Sequence, residues 1–119
     1  MMMAVQFNVS LSDMKRACRR LRAGVVDDAG ECFVALRVGK DAVEIATPGA
    51  LLDVSADVVQ GGAATIPHAV LLGVAHTLPY FRKKRIEVWL AAGQLRIEGT
   101  VFHNPGIALE RSQATPLLD

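Results

Sequence analysis

Cysteine is scarce in this chain, which has only Cys18 and Cys32 among 119 residues. Two thiols cannot brace a disulfide scaffold, and with histidines at 68, 76 and 103 they cannot supply a four-ligand zinc site from neighbouring residues. Aromatic residues make up 5%, fewer than proteins that stack successive bases along a groove generally carry. No apolar run approaches the ~20 residues of a membrane span. Residues 1–11 lack a basic start and are interrupted by Gln6 and Asn8, so they do not read as a signal peptide. The expectation is a small cytoplasmic protein with no membrane partner.

Catalytic constellations are missing too. His68 and His76 would stand about 12 Å apart along a helix, too far to share a metal, and His103 adjoins a turn. Cys18 falls on an apolar helix face and Cys32 opens a strand, places where cysteine serves as a small hydrophobe. Asp27-Asp28 reads as a solvated loop, and Gly61-Gly62 lacks the Lys-Ser/Thr of a phosphate-binding loop. Phe33 and Trp89 fall in strand-like runs and read as core. The reading is not an enzyme, with neither a metal nor a cofactor.

What is present is apolar residue content of 51% against 21% charged, with a mean hydropathy of +0.30, enough for one packed domain. It is expected over residues 1–110, followed by a flexible tail over 111–119. The formal net charge of +1 hides an asymmetry. Lys15, Arg16, Arg19, Arg20 and Arg22 fall within one short segment, and Arg82, Lys83, Lys84 and Arg85 are consecutive. Neither run contains an acid, so one positive face is a candidate partner surface.

Hydrophobic periodicity organises the chain. Val5, Phe7 and Val9 alternate with polar residues, the period of a half-buried strand. Ser10 with Asp13 fits a capping box, and Met14, Ala17, Cys18, Leu21 and Val25 recur at helical spacing before Gly24. Residues 26–31 read as a loop. Strand-like runs follow at 32–38, 42–47 and 51–59, with turns at Gly39-Lys40-Asp41 and Pro48-Gly49. Gly61-Gly62 turns into a short further run at Ala64-Thr65-Ile66. Pro67 opens a second helix that Pro79 closes. Runs at 86–90 and 95–98 form a hairpin, Asn104-Pro105-Gly106 turns, and 107–109 ends the order. The pattern β-α-β-β-β-α-β-β-β, with the short run as an optional extra strand, is two topologically similar halves. It predicts an α+β domain, an antiparallel sheet with two helices packed on one face.

These residues resemble one domain of the DNA sliding clamps, in particular the bacterial DNA polymerase III beta subunit. Phe7-Asn8-Val9-Ser10 and Met14-Lys15-Arg16-Ala17-Cys18-Arg19-Arg20-Leu21 look like that family's first strand and helix. Ala42-Val43-Glu44-Ile45-Ala46-Thr47 resembles its L-x-L-x-A-T strand. Ala64-Thr65-Ile66-Pro67 with Leu71-Leu72-Gly73-Val74 resembles its strand-Pro-helix entry. Ile86-Glu87-Val88-Trp89-Leu90 and Gln94-Leu95-Arg96-Ile97-Glu98-Gly99 resemble its closing hairpin. The resemblance spans roughly residues 5–110 and implies a clamp-like fold, a first helix that faces duplex DNA, edge-to-edge strand pairing between domains, and a role beside replication or repair proteins. Family clamps are rings of six such domains from chains carrying two or three; here one domain is read.

On a helical wheel with Lys15 at zero, the five cations of the first helix cover an arc from about −20° to 140°, while its apolar residues centre near −110°. Cations so crowded repel one another unless a polyanion faces them, and duplex DNA is such a partner; a merely solvated basic face is the alternative. Arg82–Arg85 is a second candidate phosphate contact, or a soluble loop. The second helix, 67–78, is apolar nearly all round, which requires cover on two sides. One cover is the sheet; the other is expected to be a second copy of the chain meeting Ala69, Val70, Gly73 and His76. The tail's Gln113-Ala114-Thr115-Pro116-Leu117-Leu118 faintly resembles peptides that dock on clamps. The leading function is therefore a self-associating, clamp-fold protein that contacts duplex DNA. The alternative is a non-catalytic interaction module that binds replication or repair proteins, or a resident clamp, without DNA.

Overall fold

A computed structural model describes residues 4–24, 33–47 and 50–110, without the side chains of 22–24. Cys32, Asp27-Asp28, the Pro48-Gly49 turn and the tail lie outside the described residues. The chain runs β1 (Val5–Ser10), α1 (Leu11–Gly24), β2 (Phe33–Val38), β3 (Ala42–Thr47), β4 (Ala50–Gln60), β5 (Gly62–Pro67), α2 (His68–Thr77), a 3-10 turn (Leu78–Tyr80), β6 (Arg85–Ala91), β7 (Gln94–Ile97), β8 (Thr100–His103) and β9 (Ala108–Glu110). This is an α+β domain whose nine strands form one antiparallel sheet in the order β8-β7-β6-β1-β4-β3-β2-β5-β9.

Alternation builds the sheet's buried face. Val5, Phe7 and Val9 of β1, Val34, Leu36 and Val38 of β2, and Ile86, Val88 and Leu90 of β6 point into a single core. Met14, Ala17, Cys18 and Leu21 of α1, with Val70, Leu71 and Val74 of α2, close over it. The two helices touch each other as well as the sheet. Ser10 starts α1 as expected, its Oγ accepting the Asp13 N–H at 3.4 Å, which satisfies one of the helix's unpaired donors.

The two halves are related by their pairings. Replacing β1, β2 and β3 by β5, β6 and β7, and β4 by β8 plus β9, maps every strand pairing onto another. Strand β4 runs unbroken from β3 to β1, whereas its counterpart is interrupted by Asn104-Pro105-Gly106. There the Asn104 Oδ1 accepts the Gly106 N–H at 2.8 Å, and Gly93 of the β6–β7 turn bonds Asn104 and Ile107. Proline lacks a ladder donor, so the strand breaks where it stands.

Two strands exceed the seven of the expected order. The optional run is β5, a full strand between β2 and β9. Strand β8 was not expected because Glu98-Gly99, rather than ending a strand, forms a two-residue turn with φ of 50° and 99°. Glutamate is a weak sequence signal for such a turn, which favours Asn-Gly or Asp-Gly. Phe33 and Trp89 correct the core expectation. Phe33 is 44% exposed on the outward side of β2, and Trp89 is half-buried under the Arg96 guanidinium, 4.6 Å from the ring centre. Each shares strand parity with outward residues, so the pleat turns it from the core.

Candidate nucleic-acid interface

With its apolar stripe on the sheet, α1 turns its cations outward. Arg16, Arg19 and Arg20 are exposed and Lys15 is half-buried; the Arg22 side chain lies outside the described residues. Arg16 bonds Asp13 one turn earlier at 3.2 Å, an exposed pair worth only about 0.3–0.5 kcal/mol, which a polyanion displaces readily. The side chains of Lys15, Arg19 and Arg20 have no hydrogen bond or ion pair among the described residues.

The second basic run meets this helix. The Leu11 N–H, at the start of α1, donates to the Lys84 carbonyl at 2.8 Å, and Ser10 pairs in register with Arg85. Its four cations divide by parity. Lys83 Nζ bonds Glu98 Oε1 at 3.0 Å, and Arg85 bonds Asp57 Oδ2 at 2.6 Å and the Asn8 carbonyl at 3.3 Å. The side chains of Arg82 and Lys84 are exposed and unpartnered among the described residues. The hydrogen bond from Lys83, reinforced by the Glu87 N–H at 2.8 Å, holds the Glu98 carboxyl below the usual glutamate range. Two of the four are thus committed inside the domain, leaving Arg82 and Lys84, of which Lys84 adjoins the N-terminal end of α1 through its carbonyl.

Helix α2 is covered differently from the expectation. Val70 lies in the chain's own core. Gly73 faces Phe102 of β8, whose Cε1 would stand 3.2 Å from an added Cβ. Ala69 and His76 are exposed. The apolar character of α2 is therefore met in part within the chain, by the sheet, α1 and Phe102; Val70 is buried there and Gly73 half-buried. Sequence reading had no place for Phe102 because β8 was missing from it.

Another residue was overlooked. Tyr80, in the turn after α2, is 81% exposed, the highest value among the described large apolar side chains. An aromatic between a helix-ending proline and a basic run was the available signal. Among the described residues, no group of three or more His, Cys, Asp or Glu side chains is placed to hold a metal ion, and no helix is long and apolar enough to cross a membrane. No protein-family model matches this chain, and comparison with characterised proteins finds no match.

Proposed function

We propose that the domain self-associates and holds duplex DNA without reading its sequence, through Arg16, Arg19, Arg20 and Lys15 of α1, assisted by Arg82 and Lys84. The observation that carries this reading is that Arg19 and Arg20 are exposed on a sheet-backed helix with no carboxylate partner among the described residues. Binding to phosphates releases condensed counterions, so affinity should fall steeply with salt. The strand-helix-meander order supports the clamp resemblance on which the ring-like use of such a helix rests. Self-association is supported by β8 and β9, each bonded on one side only in the sheet order, since such edges accept a further strand.

The test is binding to random-sequence duplex at about 50 and 200 mM salt. Affinity that drops at least tenfold across that range and is lost in Arg16→Ala/Arg19→Ala/Arg20→Ala supports the reading. Flat affinity, or an unaffected triple variant, refutes it. Absolute mass in solution decides the assembly: six copies fit a ring, and a monomer removes self-association.

A second reading is a protein-interaction module for replication or repair proteins. It is favoured by Leu51 and Val59, 64% and 62% exposed on the outward side of β4, away from α1. A stable dimer that retains a protein partner and no DNA selects this alternative.

A further inference from the structure

Tyr80 is displayed rather than merely uncovered. It stands between Leu78, which is fully buried, and Phe81, which packs partly against the core. The Phe81 N–H closes the turn on the Leu78 carbonyl at 3.1 Å. Three residues beyond Phe81, the backbone is tied to α1 by the Leu11 N–H, which donates to the Lys84 carbonyl. Anchors on both sides hold the turn while the ring projects, so little conformational freedom is lost when a partner covers it.

The cations that follow Tyr80 in the chain narrow the partner. Arg82 and Lys84 are uncommitted, whereas Lys83, between them, is held by Glu98. An exposed π-face followed within four residues by two uncommitted cations is complementary to a ligand that joins a planar apolar group to an anion, as each nucleotide does. Within a duplex the base faces are occupied by their neighbours; an unpaired nucleotide offers a free one.

We infer that Tyr80 stacks on an unpaired base while Arg82 and Lys84 hold the adjoining phosphates, so that this end of α1 recognises a junction between duplex and single strand. The inference rests on the duplex-binding reading of α1 and adds a preference that reading does not contain. It requires one stacked base, not a continuous aromatic groove, and is compatible with the low aromatic content.

The experiment compares a continuous duplex with one of equal length that carries a gap of about ten unpaired thymidines, within the site sizes of single-strand binders. The gap offers junctions of both polarities and has fewer phosphates, so tighter binding to it comes from the unpaired segment. The wild-type chain should bind the gapped DNA more tightly. Tyr80→Ala should lose roughly 5- to 150-fold on the gapped DNA, the range of one aromatic–base stack, and little on the continuous duplex. Tyr80→Phe, which keeps the ring, should retain the preference. Equal affinity of the wild type for both DNAs, equal loss on both in Tyr80→Ala, or loss of the preference in Tyr80→Phe overturns the stacking contact and leaves the duplex-binding reading standing. Absence of binding to either DNA overturns both readings. A gap preference that depends on Tyr80, with affinity for both DNAs unaffected by Arg19→Ala/Arg20→Ala, keeps the stacking contact and discards α1 as the duplex surface.

Discussion

Lys83 Nζ stands 3.0 Å from Glu98 Oε1, a contact between the loop entering β6 and the turn joining β7 to β8. Glu98 is the sole described non-glycine residue with positive φ, at 50°, a backbone state that side chains other than Asn, Asp and Gly visit uncommonly. Its carboxylate accepts from Lys83 and from the Glu87 N–H. The residue thus holds the β7–β8 turn through its side chain, and removes Lys83 from the free cations.

Glu98→Gln should lower thermal stability at neutral pH, because the charge-assisted part of both hydrogen bonds is lost. The pH dependence has a definite sign. The folded-state pKa lies below the ordinary value, about 4.3 for glutamate, so the stabilisation is fully present above that value and disappears as pH falls through the lowered folded pKa. Thermal unfolding of both proteins from pH 7 to pH 3 should show their difference in Tm shrinking at the acid end. A constant difference would show that the ionised carboxylate is not responsible.

Lys83 and Lys84 are adjacent but should separate by phenotype. Lys83→Ala is expected to cost stability and leave the salt dependence of DNA binding nearly unchanged. Lys84→Ala should leave Tm unchanged and reduce the slope of log affinity against log salt by about 0.9 for a lost duplex-phosphate contact. Melting curves and anisotropy titrations on the two variants distinguish them.

Removing cations from α1 should not weaken the fold. Lys15 and Arg19, and Arg16 and Arg20, are like-charged pairs at helical i,i+4 spacing, each unfavourable by about 0.2–0.5 kcal/mol. Arg19→Ala/Arg20→Ala should therefore have an unchanged or slightly higher Tm. A large drop would mean that these side chains pack structurally.

The contact between Gly73 and Phe102 predicts a compensating pair. Gly73→Leu adds a side chain where even a Cβ stands 3.2 Å from the ring, and overpacking of this kind costs about 1–3 kcal/mol. Phe102→Ala in the same chain should recover part of that loss by opening the space. Denaturant unfolding of the two single variants and the double variant gives the coupling; simple additivity would contradict the packing.

Gly61→Ala tests the β4–β5 connection. An added Cβ there would stand 2.7 Å from the Val38 carbonyl oxygen, and a backbone atom within a paired strand cannot swing aside. The substitution should destabilise by about 1–3 kcal/mol, despite the ~0.4–1 kcal/mol usually gained from Gly→Ala through the unfolded chain. An unchanged denaturation midpoint would count against this close approach.

Local pattern carried much of the architecture. The alternation of Val5, Phe7 and Val9, the helical spacing from Met14 to Leu21, and the Ser10 cap report contacts made by neighbouring residues, and all are present in the fold. Strand β8 was hidden because its turn has an uncommon residue at Glu98, whose conformation is supported from Lys83 and Glu87 elsewhere in the chain. The outward turn of Phe33 and Trp89 was missed for a related reason: hydrophobicity says that a side chain benefits from cover, while only strand register says which face it occupies.

The charge clusters separate the two levels most clearly. Sequence alone determined that α1 would have an apolar stripe and a basic arc, because helical geometry places residues about 100° apart whatever surrounds them. It equally determined that residues 82–85 would be basic. Which of those charges stay available was decided by the tertiary structure, through Glu98 on Lys83, Asp57 on Arg85 and the bond that brings Lys84 to the start of α1. Ion pairs and edge contacts join segments distant along the chain, and their distances exist only once the sheet has closed its pairings.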